Sequence, residues 1–167
     1  MVHHRTEVLD HLFVWLSKAG TLGLVWIAIA LVLALLRRQP SLLLLVVAAD
    51  GFADALARAG KALVDRARPP VRYPQPEPLV AVPHDHSFPS GHAATSFACA
   101  TILATAVPRL AIPLYLLAAA VAFSRVYDGV HYPLDVVGGA VLGVAVATAL
   151  RWLERALRRS RAAPPVS

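Results

Sequence analysis

Ser87-Phe88-Pro89-Ser90-Gly91-His92 runs directly into AATSFACATILATAV, residues 93–107. The apolar run carries no charge and is long enough for several turns, so it reads as a helix that starts around Ser90, Gly91 and His92. A helix N-terminus leaves backbone N–H groups without partners and presents the positive end of the dipole. A hydroxyl, a glycine and an imidazole at such an end make a candidate anion site suited to phosphate. Taken alone, the same residues are also an ordinary cap. The rest of the chain has to decide between the two.

Working outward, composition points to a membrane. The chain has 167 residues, the size of one domain. Its hydrophobic fraction is 57% and its mean hydropathy +0.61, above the roughly 45–50% apolar content of soluble domains. A net charge of +6 and an isoelectric point near 10.2 raise nucleic acid as a partner. The cations, however, sit at the ends of apolar runs, and no aromatic-interleaved basic patch occurs. Membrane topology accounts for them, and no nucleic-acid partner is expected. The single Cys99 lies inside an apolar run, which leaves neither a disulfide nor a thiolate metal site within this chain. It reads as a small packing residue.

Residues 7–18, EVLDHLFVWLSK, place Leu9, Leu12, Phe13 and Leu16 at helical spacing. The segment is too short to span, so residues 1–19 are expected to form an interfacial amphipathic helix. A secretory signal is the competing reading, disfavoured because residues 21–36 are long enough to span rather than to be cleaved. Arg37-Arg38 closes that run and Pro40 precedes the next, residues 41–59. Asp50 and Asp54 interrupt it, four residues apart on one helix face. Carboxylates at membrane depth point into a bundle or a wet cavity. The plainer expectation is structural support, with Asp54 paired to Arg58.

The prolines of residues 68–89 are expected to rule out a helix and give a polar loop. Its His84-Asp85-His86 lacks a third and fourth ligand, so a solvated loop rather than a metal site is expected. Apolar runs at 93–107, 110–123 and 134–150 follow, then an arginine-rich tail, residues 151–167. The expected fold is all-α: a single-domain polytopic bundle of about five spanning helices plus the short N-terminal one. With five spans, Arg37, Arg38, Arg109 and the arginines of the tail share one side, which the positive-inside rule makes cytoplasmic. The proline loop, the Ser90–His92 stretch and residues 125–135 then meet on the exoplasmic side.

Three clusters share that side. The first is Lys61-Ala62-Leu63-Val64-Asp65-Arg66-Ala67-Arg68-Pro69, where a mobile ammonium precedes a planar fork matched to phosphate oxygens. The second is Ser90, Gly91 and His92. The third runs from Ser124-Arg125 to His131-Tyr132-Pro133-Leu134-Asp135. Pro133 suits a first helical turn. If that turn includes His131, Asp135 lies one turn below it and can hold one ring nitrogen, leaving the other free to attack or abstract. The competing reading is a capped helix with a satisfied interfacial histidine. Two histidines beside three cations and a helix N-terminus make an inventory for phosphoryl transfer: one imidazole attacks phosphorus, the other protonates the departing oxygen, and the fixed positive charge leaves no strict need for a metal or other cofactor.

Lys61-x6-Arg68-Pro69, Pro89-Ser90-Gly91-His92 and Ser124-Arg125-x5-His131-x3-Asp135 resemble the three-part signature of the type 2 phosphatidic acid phosphatase family, with no departure at any signature position. That family includes integral-membrane lipid phosphatases, bacterial polyprenyl-diphosphate phosphatases, soluble acid phosphatases and vanadium haloperoxidases. The resemblance implies that His131 is the nucleophile, that Asp135 orients it, and that His92 is the general acid which later activates water. Lys61, Arg68, Ser90, Gly91 and Arg125 are implied to hold the phosphate. Membrane members commonly have six spanning helices, against the five counted here.

The expectation is therefore a metal-independent phosphatase in a bacterial cell membrane, acting at the outer leaflet on a lipid phosphate or polyprenyl diphosphate, with undecaprenyl diphosphate favoured. Its partners are that substrate and the membrane lipids; its oligomeric state is not readable. The alternatives are a phosphatidic acid or phosphatidylglycerophosphate phosphatase, a lipid phosphotransferase, and a catalytically dead membrane scaffold. A vanadate haloperoxidase is disfavoured because those relatives are soluble and much longer.

Overall fold

Each apolar run becomes a helix, and each helix stops where the chain supplies a reason. The computed structural model describes residues 6–162. Along it lie α1 (Glu7–Ala19), a 3-10 turn (Thr21–Gly23), α2 (Leu24–Arg37), α3 (Pro40–Val64), α4 (Pro69–Arg72), α5 (Gly91–Ala106), a second 3-10 turn (Pro108–Leu110), α6 (Ala111–Tyr127) and α7 (Pro133–Ala162). There is no strand among the described residues. Thr6 caps α1 by accepting from the Leu9 N–H, and Ser90 caps α5 by accepting from the Ala93 N–H. Pro40 and Pro133 occupy first turns, where a missing N–H costs nothing. Arg38 ends α2 and Asp65 ends α3 in the left-handed conformation.

Small side chains put α5 at the centre. Eleven of its sixteen residues are buried, from Ala93 to Ala104 with few interruptions, so it has no solvent- or lipid-facing side of its own. It packs against α3, α6 and α7. Trp26 of α2 is fully buried and donates its indole N–H to Ser96 Oγ at 3.1 Å. The hydroxyls of Thr101 and Tyr115 meet at 3.0 Å and tie α5 to α6. Cys99 is a buried packing residue, as expected. α1 lies along α6, with Phe13 against the rings of Phe123 and Tyr127 and Asp10 accepting from the Tyr127 hydroxyl at 2.8 Å.

The most extensive helix–helix contact is that of α5 with α7. A Cβ on Gly139 would overlap the Ser90 carbonyl oxygen, and one on Gly143 would overlap that of Ala94. Spaced four apart, these two glycines let the backbones approach as small-xxx-small pairs do in membranes.

Three features differ from the expectations. Three helical stretches are long and apolar enough to cross a membrane (Pro40–Arg72, Pro108–Tyr127 and Pro133–Ser160), and the α1–α2 pair, bent by 64°, makes a fourth if it is one broken span. About five were expected. α2 has 14 residues and α5 has 16, each short of the ~20 that span unaided. Next, the proline-rich segment does contain one helical turn, α4, because Pro69 and Pro70 sit at its first positions, where proline is tolerated. Finally, the arginine-rich tail continues α7 without a break up to Ala162; residues 163–167, like residues 1–5 of the expected interfacial helix, lie outside the described residues.

Replacing Gly143 with leucine should separate α5 from α7, because the obstacle is backbone that cannot rotate away. Overpacking of this kind costs ~1–3 kcal/mol. The expected outcome is a clear fall in the thermal unfolding midpoint of the detergent-solubilised protein, with Gly51→Leu, where a Cβ meets nothing within 4 Å, as the tolerated control.

Candidate active site

The C-terminal ends of α3 and α6 and the N-terminal ends of α5 and α7 gather at one end of the bundle, with the bend between α1 and α2 beside them. A cavity of about 280 Å³ opens there, and Lys61, Arg68, Gly91, His92, Arg125 and His131 all line it. Ser90 and Asp135, fully buried, sit behind this lining. All eight residues singled out from sequence thus belong to one constellation: six on the wall and two supporting it.

His131 is held just before α7, not in its first turn. Arg68, itself 2% exposed, donates from Nη1 to His131 Nε2 at 3.1 Å and to the Val130 carbonyl at 3.0 Å. A guanidinium has no acceptor, so Nε2 must be the unprotonated nitrogen and Nδ1 the one that carries hydrogen. Nδ1 points to Asp135 Oδ2 across 3.4 Å, a long contact that nonetheless selects this tautomer. Burial, and then the nearby guanidiniums of Arg68 and Arg125, hold the imidazole pKa down to about 4 against the raising influence of Asp135. The ring is therefore neutral at physiological pH, with its lone pair turned to the cationic wall.

Asp135 does more than face His131. Its carboxylate accepts from Arg66 Nη1 at 2.8 Å, from the Tyr132 N–H at 2.8 Å and from the Ser87 hydroxyl. The bond to Tyr132 is the reach-back half of a capping box at the start of α7. Its backbone carbonyl accepts from the Ser90 N–H at 2.9 Å, which locks the N-terminus of α5 to that of α7. Arg66 also lies 4.3 Å above the Tyr132 ring.

The other cations are held from the loop and from α1. Asp85 bridges two of them, accepting from Lys61 Nζ at 2.5 Å and from Arg68 Nη2 at 2.5 Å, while its carbonyl takes the Arg68 Nε–H at 2.9 Å. Burial alone would raise the Asp85 pKa; the hydrogen bonds and charges of Lys61 and Arg68 overcome it and bring it to about 2. Arg125 donates to the Ser17 hydroxyl of α1 and lies 3.8 Å from Asp128. His92 Nε2 and Thr21 Oγ1 are 3.5 Å apart at the edge of the cavity.

Asp50 and Asp54 line the same cavity, and Asp54 pairs with Arg58 at 2.5 Å, as the plainer reading expected. The His84-Asp85-His86 loop is not simply solvated. Asp85 belongs to the site, and His86 Nδ1 lies 3.0 Å from Asp65 Oδ1. Among the described residues no three His, Cys, Asp or Glu side chains group as a metal site would need. Sequence reasoning therefore missed Asp85, Arg66, Ser87 and Ser17. For Asp85 a signal existed: an acid in a loop opposite unpaired cations. For Ser17 there was none.

Apolar helices around a polar, histidine- and cation-lined cavity at one end define an integral membrane protein with a candidate phosphate site. The family model of the PAP2 superfamily matches residues 39–159, and the chain belongs to that superfamily. It is 34% identical over 143 residues to an undecaprenyl-diphosphatase of Sulfolobus acidocaldarius, covering 84% of this chain and 68% of the relative. It is 39% identical over 134 residues to the decaprenylphosphoryl-5-phosphoribose phosphatase of Mycobacterium tuberculosis, covering 78% of this chain and 72% of the relative. Among solved structures, a transmembrane PAP2-type phosphatidylglycerolphosphate phosphatase from Bacillus subtilis superimposes with a TM-score of 0.72 at 27% identity, covering 92% of this chain and 80% of that one. All three are named phosphatases or diphosphatases, which bears out the expected enzyme class.

Asp85 occupies two of the cations that line the cavity. Asp85→Asn should release them to an incoming anion. Inorganic phosphate or vanadate is expected to bind the purified protein about fivefold more tightly, the scale of one part-exposed ion pair, as read by calorimetric titration. Unchanged affinity would show that the anion does not meet Lys61 and Arg68.

Proposed function

We propose that the chain is a metal-independent phosphatase that hydrolyses a polyprenyl-linked phosphate or diphosphate at the outer face of the membrane through a phosphohistidine. One observation carries the reading: His131 presents an unprotonated Nε2 into the same cavity as His92, Lys61, Arg68 and Arg125.

In the proposed reaction, the Nε2 lone pair attacks phosphorus in line and forms the N–P bond as the bond to the leaving oxygen breaks. Nδ1–H faces Asp135, which stabilises the positive charge that develops on the ring. His92 gives its proton to the leaving oxygen, then takes one from the water that cleaves the N–P bond and restores His131. Lys61, Arg68, Arg125 and the N–H groups at the start of α5, Gly91 included, hold the equatorial oxygens. These groups supply the positive charge that a metal supplies in other phosphatases. The outward orientation rests on Arg37, Arg38, Arg109 and the arginines of α7, which lie at the opposite end of the bundle.

An undecaprenyl diphosphate-like lipid is the favoured substrate, supported by the relative at 34% identity. A second reading has its own observation. Asp50 and Asp54 face into the cavity, where carboxylates accept hydrogen bonds from substrate hydroxyls and repel a second phosphate. A phosphorylated sugar on a polyprenyl phosphate, as in the name of the mycobacterial relative, offers hydroxyls and keeps its second phosphate a sugar's width away from the one cleaved, unlike a diphosphate. Phosphate release from these two lipids, from phosphatidylglycerophosphate and from phosphatidic acid separates the readings. Transfer to an acceptor without release of phosphate would replace hydrolysis by phosphotransfer.

His131→Ala is expected to lower turnover by at least ~10³-fold, since the covalent route is lost; near-normal turnover would remove His131 as nucleophile. The pH profile gives a second check. Protonation of His131 abolishes the attacking lone pair, so kcat/KM should fall as pH drops through the free-enzyme pKa. With that pKa at about 4, the acid limb that reports His131 should lie below pH 5.5. An acid limb centred on ~6.5, the ordinary imidazole value, would contradict a buried neutral nucleophile.

A further inference from the structure

At the end of the bundle opposite the candidate active site, a second cavity of about 570 Å³ lies between the start of α3, the end of α5 and the last turns of α7. Four arginines line it (Arg38, Arg151, Arg155 and Arg158), with one acid, Glu154. Glu154 is already taken, pairing with Arg151 at 2.7 Å and Arg158 at 2.9 Å. Arg38 and Arg155 have no acidic partner among the described residues. The cavity lining therefore carries four positive charges against one negative, and that one is already engaged.

Local backbone geometry directs this charge. Arg37 and Arg38 are adjacent, yet only Arg37 turns to the protein, donating to the Ala106 carbonyl at the end of α5 at 2.5 Å. Arg38 takes the left-handed conformation that ends α2 and lines the cavity instead. α3 begins at the same place. Its N-cap, Gln39, makes no side-chain cap bond, and its first turn contains no acid, so the positive end of a 25-residue helix adds to the arginines.

The cavity also has an apolar continuation. A groove of about 720 Å³ shares Ser41, Leu45, Glu154 and Arg158 with it and extends along Leu44, Ala48 and Leu157. Leu44 is 70% exposed, and the groove runs up the side of the spanning part of α3. Trp152, also exposed, adjoins Arg151 in sequence, and indoles are enriched where membrane meets water. A cationic pocket at headgroup depth that opens into an apolar groove along a spanning helix has the polarity of one molecule class, an anionic phospholipid.

We propose that this end of the protein is a binding site for an anionic phospholipid, with its phosphate-bearing headgroup among Arg38, Arg155 and the N-terminus of α3 and an acyl chain in the groove beside Leu44 and Leu157. The lipid joins α3, α5 and α7 at the end where no catalytic residue lies. It is a resident of the leaflet, not the substrate: the headgroup pocket shares no lining residue with the candidate active site. Basic pockets between spanning helices recognise anionic headgroups in this way.

The test is native mass spectrometry of the full-length protein released from detergent after incubation with equal amounts of phosphatidylglycerol and phosphatidylcholine. Wild type should retain phosphatidylglycerol at least ~5-fold in preference, and 0.5 M salt during loading should reduce that preference, as it does for part-exposed charges. Arg38→Gln with Arg155→Gln should bring the ratio close to one, whereas Arg109→Gln, at the same end but outside the pocket, should leave it unchanged. Arg155→Gln alone removes an exposed side chain with no partner and provides a variant with no folding risk; it should lower the ratio about twofold. Equal retention of the two lipids by wild type, or an unaltered preference in both pocket variants, would overturn the assignment. Displacement of the lipid by millimolar inorganic phosphate would also overturn it, reducing the site to one for free anions. A lipid-free dimer that the double variant dissociates would show instead that a second copy fills the groove.

Discussion

One buried carboxylate ties the candidate active site together. Asp135 has no exposed surface, and leaving an ion in such a place without partners costs several kcal/mol. Its oxygens are met by Arg66, Ser87 and the Tyr132 N–H, and each donor comes from a different stretch of chain. The carboxylate thus requires residues 66, 87 and 132 to converge before it can be buried at all. With its backbone carbonyl holding the Ser90 N–H, the same residue aligns the helix that carries His92 with the one that follows His131. His131 benefits from a hub that is already fixed by others, so its orientation does not depend on the 3.4 Å contact alone.

That hub works only because α5 and α7 can approach so closely. Gly139 lies against the Ser90 carbonyl, and Gly143, one turn on, against that of Ala94. A side chain at either would push the N-terminus of α5 away from Asp135 and break the Ser90 bond. In a bilayer there is little hydrophobic gain in bringing two apolar helices together, so close backbone packing and interhelical hydrogen bonds must hold them. α5 meets this need mostly with Ala, Ser, Thr and Cys, keeping Ile102 and Leu103 to its second half, which also explains how a helix of 16 residues can be surrounded by others. Packing of small residues and geometry of the site are one requirement seen at two depths.

The helices and the eight candidate site residues were legible because each is written locally. Apolar runs bounded by Pro40, Pro108 or Pro133 mark helices, and the residues proposed to handle phosphate stand in short motifs whose spacing is fixed by a helix end. What was not legible depends on distant pairing. Asp85 earns its place only through Lys61 and Arg68, twenty-four and seventeen residues away, and Ser17 meets Arg125 across 108 positions. No periodicity records such meetings. Whether the first turn of α7 takes in His131 was left open by the sequence; Pro133 opens that helix, so His131 stands just outside it and lines the cavity, while Asp135 reaches back to the Tyr132 N–H. Gly139 and Gly143 were visible as letters, but their function needs a partner helix that the sequence does not specify.

Charge balance inside the cavity accounts for how so many cations can stand together there. Arg58, Lys61, Arg68 and Arg125 face Asp50, Asp54 and Asp85 there. Without Asp85, Lys61 and Arg68 would stand side by side, each largely removed from water, and their mutual repulsion would favour an open loop. Asp85 removes that penalty by standing between them with two oxygens at 2.5 Å, the same bidentate geometry that a phosphate offers. It differs from phosphate in charge and in its tether, and it is itself half-exposed, so it can be exchanged without unfolding anything. In the proposed function, a phosphate dianion would replace one anion by a stronger one on cations that are already in position. On that proposal the site is preorganised by a residue that has to yield its place, which would reduce affinity for weak anions but leave Lys61 and Arg68 with little reorganisation to undergo when the right one arrives.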